Sequence, residues 1–166
     1  MAQKKVKPRW LTPREMKTWR SYIIASRRLL DALETDLDGH DLSMADYEVM
    51  AQLSEAPGRR MRMSELAELA MLSKSRLSHR MKVMEKAGWI KREECATDRR
   101  GSWAVMTDKG WRAIVAAAPD HVSSVRKRFI DQLSGRDQED LTAIFARLTD
   151  ELRDQFKREQ LGVDEK

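Results

Sequence analysis

Between Lys74 and Lys82 the chain reads KSRLSHRMK, a run of cations and small hydroxyls with no carboxylate until Glu85. Leu77, Met81 and Met84 stand at i, i+4 and i+7, the spacing of a buried helix face. Lys74, Ser75, Arg76, Ser78, His79 and Lys82 then fall largely outward. An ordinary solvated helix face mixes in acids, whereas this one suits a polyanion. Lys74 and Lys82 are placed to hold a phosphate backbone, while Ser75, Arg76, Ser78 and His79 are candidates for base or phosphate contacts. Arg76 is the natural donor to guanine. Two further cations, Arg99 and Arg100, lie in CATDRRG between the β-prone runs Trp89 to Glu94 and Ser102 to Thr107. Asp98 and Gly101 are turn formers, so both arginines sit near a hairpin tip, where an Arg can enter a narrow A·T-rich minor groove.

These residues need a frame. SELAELAM supplies a first helix, with Ser64 as its cap, carboxylates at Glu65 and Glu68 on the early turns, and Leu66, Leu69 and Ala70 on its buried side. A turn over Met71 to Ser73 follows. Ser73 caps a second helix that ends at Gly88, the residue best suited to a left-handed C-terminal cap. Helix, turn, helix and basic hairpin in that order form a DNA-reading arrangement.

The segment LSKSRLSHRMKVMEKAGWIKR, Leu72 to Arg92, resembles the recognition helix and exit strand of the MarR-type winged-helix regulators of bacteria. DRRGSWAVMT, Asp98 to Thr107, is similar to that family's wing signature of Asp, any residue, Arg, then a strand ending in Leu-Thr, with Met106 in place of the Leu. The resemblance covers nearly the whole chain, because the family also has flanking helices that build a dimer. It implies a mainly α fold with a small β-hairpin wing, the reader being flanked by N- and C-terminal dimerisation helices. As part of the wing signature, Asp98 is expected to hold Arg100 by a charge-assisted hydrogen bond. The family usually has a basic residue where His79 stands, so a neutral His weakens the electrostatic part of that contact. Small aromatic or phenolic effectors are implied between the reader and the dimer helices, and Trp10, Trp19, Tyr22 and His40 are the candidates to line such a pocket.

Charge distribution points the same way. The formal net charge of the 166 residues is +5, yet Pro57 to Arg112 holds 14 Lys or Arg against 7 Asp or Glu, leaving the remainder slightly acidic. Residues 1–11 read as a mobile basic arm. From Thr12 and Pro13, a cap and first-turn proline, Met16, Trp19, Ile23, Leu30, Leu33 and Leu37 form an apolar seam through residues 12–40, interrupted by Ser26. A winged helix-turn-helix domain is assigned to 41–110, with a helix from near Ser43 to Leu53, the recognition helix at about 74–87 and the wing at about 89–107. Helices over 111–160 carry Trp111, Ile114, Val115, Ala118, Val122, Val125 and Phe129, then Leu141, Ile144, Phe145, Leu148, Leu152 and Phe156. Pro119 is expected to kink or restart the first of them. The stripes favour association of two chains. A two-fold dimer would set recognition helices about 34–36 Å apart on an approximately palindromic operator.

Other chemistries find little support. The seven glycines are isolated, the three histidines dispersed and no nucleophile motif surrounds a serine, so catalysis, cofactor and metal binding are not expected. No run reaches the roughly 18 apolar residues of a spanning helix, the basic segment is no amphipathic membrane helix, and no apolar signal core follows the N-terminus; a cytoplasmic protein is expected. The single Cys95 excludes an internal disulfide and lies near Arg92, Arg99 and Arg100. Those cations would favour its thiolate, Glu93 and Glu94 oppose it, and a redox-responsive repressor is one alternative. The other is a winged-helix protein acting through protein partners. The favoured reading is a homodimeric, sequence-specific DNA-binding regulator, more a repressor than an activator.

Overall fold

A computed structural model describes the backbone of residues 8–94 and 102–161, and side chains as far as Arg153. The chain forms two compact units, 1–124 and 125–166. The first contains α1 (Pro13–Leu37), α2 (Met44–Glu55), β1 (Arg60–Arg62), α3 (Met63–Leu69), α4 (Lys74–Ala87), β2 (Ile90–Glu94), β3 (Ser102–Met106) and most of α5 (Asp108–Arg128). The second holds the end of α5, a 3-10 turn and α6 (Gly135–Leu161). The units part inside α5, so most of that helix lies in the first unit and its end in the second.

Helix α1 begins as its sequence dictates. Thr12 accepts from the Glu15 amide, the Glu15 carboxylate accepts from the Thr12 amide at 2.7 Å, and Pro13 occupies the first turn, where its missing N–H has no helical acceptor to lose. Its last turns bring Leu33 and Leu37 into the interior. Around Leu37 gather Val49, Met50 and Leu53 of α2, Leu66 and Ala67 of α3, Leu77, Met81 and Met84 of α4, Ile90, Ala104 and Met106 of the sheet, and Ile114 and Ala117 of α5. Each fully buried Leu or Met contributes about 1.5–3 kcal/mol over its exposed state. This core fixes the backs of α4 and the sheet and leaves their fronts free.

The sheet has three antiparallel strands in the order β1-β3-β2. β1 escapes the sequence reading because Arg-Met-Arg has one apolar residue, Met61, which turns inward opposite Ala104. It also corrects the start of α3. Arg62, still paired with Trp103, is extended at the N-cap position and makes no side-chain cap bond, so the strand passes straight into the helix and Ser64 lies inside it. Leu69 is corrected as well: it is 47% exposed, because Leu66, Ala67 and Ala70 define the inward face of this seven-residue helix and rotate Leu69 out of it. Pro119 does not restart α5. It lies on an exposed face, where the Val115 carbonyl left without a helical donor can meet water.

In the second unit, Ser134 and Asp137 cap α6 reciprocally: the Ser134 amide donates to the Asp137 carboxylate at 2.9 Å, and the Asp137 amide to the Ser134 hydroxyl at 3.2 Å. Ile144, Phe145, Leu148 and Leu152 follow on α6 and are all exposed.

Candidate nucleic-acid interface

The central element is α4. Ser73 caps it by accepting from the Arg76 amide at 3.3 Å, and Gly88 ends it at φ 77°, in the left-handed region that glycine enters without steric cost. The Gly88 and Trp89 amides donate to the Glu85 and Met84 carbonyls, and the Lys109 ammonium donates to that of Ala87 at 2.7 Å. A cation at this end also complements the helix dipole.

With Leu77, Met81 and Met84 anchored, Ser75, Arg76, His79 and Lys82 stand exposed away from the core, and Lys74, in the first turn, is exposed as well. Ser78 is half-buried for a specific reason. Arg92 on β2 donates from Nη2 to the Ser78 carbonyl at 2.9 Å and approaches its hydroxyl at 3.5 Å, while its Nε faces the Glu85 carboxylate at 3.5 Å. Ser78 is therefore tied to the sheet through Arg92.

Arg80 is a positioning residue that the sequence reading passed over. Its Nη1 donates to the Ser43 hydroxyl at 3.2 Å and lies 3.4 and 3.5 Å from the two oxygens of Asp46, a buried carboxylate. Ser43 in turn caps α2 and donates to Asp46 at 2.5 Å, and Glu34 of α1 accepts from the Met44 amide. The start of α2 and the middle of α4 thus share one hydrogen-bonded cluster. A sign of it stood in the sequence: an Arg beside the inward row of α4 and an Asp in the first turn of α2.

The hairpin stem places β2 against β3 from Ile90↔Met106 to Glu94↔Ser102. Asp98, Arg99, Arg100 and Cys95 lie outside the described residues. Of the effector candidates, Trp19 and Tyr22 have ring centroids 6.1 Å apart on an exposed stretch of α1, and Trp10 precedes the helix and is largely exposed. His40 lies after α1 has ended, beyond roughly 22 Å of helix from Tyr22. There its Nε2 pairs with Asp120 at 2.9 Å. The four are not gathered into one pocket within the first unit. Nearby, the His121 ring lies 4.2 Å from that of Tyr47, and its pKa is lowered by burial, against an opposing pull from Asp36. Among the described residues no cluster of His, Cys, Asp or Glu suits a metal ion, and no helix is long and apolar enough to cross a membrane.

A buried-backed helix with a cationic front, packed with a three-stranded antiparallel sheet whose last two strands follow it, defines the winged helix-turn-helix class. Known proteins narrow it. Residues 40–101 match the MarR family. AbsC, a MarR family transcriptional regulator from Streptomyces coelicolor, is 45% identical with a TM-score of 0.85, over 88% of this chain and 99% of that one. Sco3205 from the same organism, a MarR family regulator solved in complex with DNA, is 40% identical with a TM-score of 0.85, over 87% and 92%. The transcriptional regulator HosA of Escherichia coli is 32% identical over 99 residues, 60% of this chain and 71% of that protein. The chain belongs to the MarR family of winged-helix transcriptional regulators.

Proposed function

We propose that the protein binds double-stranded DNA sequence-specifically as a homodimer, with α4 in the major groove and the wing in the flanking minor groove, and represses transcription from a near-palindromic operator. The observation that carries this reading is the division of α4, apolar side fully buried and carboxylate-poor side exposed. The 40% identical relative solved with DNA supports it. Lys74 and Lys82 would hold the backbone, Ser75, Arg76, Ser78 and His79 meet base edges or phosphates, and Arg99 and Arg100 occupy the minor groove with Asp98 ordering Arg100. The exposed apolar residues of α1 and α6 support the homodimer. Release by a small aromatic or phenolic effector rests on the family resemblance, with Trp10, Trp19, Tyr22 and His40 available to contribute from the two protomers together.

Selection of bound sites from fragmented genomic DNA at two salt concentrations tests the proposal. Enrichment of one near-palindrome is expected; salt-sensitive binding without enrichment would leave a general nucleic-acid binder. Arg100→Ala should weaken operator binding while leaving association unchanged, and unaltered affinity would remove the wing from the scheme.

A further inference from the structure

The outer face of the sheet carries an arrangement separate from the exposed face of α4. Arg60 and Arg62 flank the inward Met61 in β1, so both stand on the outer face with Trp103, the direct partner of Arg62. Their guanidinium carbons lie 4.2 and 4.7 Å from the centre of the Trp103 ring. One indole attracts each cation, but two guanidiniums gathered on it repel each other. Among the described residues neither has a carboxylate in ion-pair contact. Glu93, across β3 from Arg62, is bound instead to Lys91 at 2.8 Å; that hydrogen bond, with smaller charge contributions from Lys91 and Arg60, holds its carboxyl below the usual range. The face therefore presents Arg60, Arg62 and Lys91 against one engaged carboxylate.

Position specifies the anion. Ser102, which opens β3, immediately precedes Trp103, so the row Arg62, Trp103, Glu93 stands at the end of the sheet nearest in sequence to Arg99 and Arg100. With the wing in the minor groove, as proposed above, this row would face the backbone beside it. Stacking on the indole also orders the two guanidiniums in advance, which lowers the entropy lost when they meet phosphate oxygens. A protein partner would require an apolar centre, and here the one aromatic ring is covered by cations. We infer that Arg60 and Arg62 bind the sugar-phosphate backbone of DNA flanking the operator, outside the segment read by the recognition helix and wing. The inference rests on the DNA-binding reading above.

Two duplexes carrying the selected operator test it, one ending at the operator edges and one extended by about ten base pairs on each side, a helical turn. The wild-type protein should bind the longer duplex on the order of tenfold more tightly near 50 mM salt, with most of that gain gone by about 200 mM. Arg60→Gln with Arg62→Gln should abolish the gain, lower the salt slope on the long duplex by about one unit per lost phosphate contact, and leave the short duplex unaffected. Hydroxyl-radical footprinting of the wild type should show protected sugars beyond the wing contact. Equal gain in the double variant, equal loss on both duplexes, or no protection in the flanks would overturn the inference while leaving operator recognition in place. A wild-type protein with no preference for the operator on either duplex would overturn both readings.

Discussion

Helices α4 and α6 carry apolar residues at the same three- and four-residue steps, yet meet opposite fates. In α4, Leu77, Met81 and Met84 are essentially inaccessible to solvent, enclosed by α2, α3, the sheet and α5. In α6, Leu148 and Leu152 remain 51% and 54% exposed. Helix α1 contains both outcomes in one element, with Leu33 and Leu37 buried and Trp19, Ile24 and Leu30 left open. Periodicity announces that a face is apolar; it does not say which chain supplies the cover. The reader completes its core within 1–124, and the terminal helices keep apolar side chains exposed.

That contrast can be broken at either end. Leu148→Asp with Leu152→Asp should abolish association, read by sedimentation, while the melting of the reader is unchanged; a variant that stays dimeric would place the seam elsewhere. Leu66→Ala, in the core, should have the reverse effect, costing about 2–5 kcal/mol in thermal or denaturant unfolding of the reader. Asp46→Ala should cost less, about 1–3 kcal/mol, because Arg80 loses its buried partner but keeps a third of its side chain in water. The smallest effect belongs to His121. Burial favours its neutral form in the fold, so its contribution to stability is complete above the ordinary histidine value near 6.5 and declines as pH falls through it, when the unfolded chain takes up the proton. Unfolding midpoints measured from pH 7.5 to 5.5 should fall less steeply in His121→Gln; an unchanged slope would assign the acid sensitivity to other groups.

The reader was legible because its signals are local. Ser43, Ser73, Thr12 and Gly88 act within four residues of the positions they cap, and the inward row of α4 needs only its own spacing. Contacts made across long loops were not legible. Arg80 finds Asp46 34 residues away, and Arg92 finds Ser78 through a strand that turns back on the helix. β1 is defined wholly by its partner β3, and Ser64 lost its expected role because that strand runs to the last residue before α3. Supports such as Arg80 and Arg92 were missed because their partners are set by the fold and not by local spacing.

Thr107 gives this division a mechanical side. Its hydroxyl donates toward the Gly88 and Trp89 carbonyls at 2.7 and 3.0 Å and accepts from the Gly110 amide, and a side chain at Gly110 would collide with the Trp89 carbonyl. With Lys109 bonded to Ala87, the first turn of α5 is stitched to the last turn of α4 with no slack between them. The joint works as a rigid crank. A tilt of the first turn of α5 would carry the last turn of α4 and the start of the wing strand with it, because every link between them is short and direct.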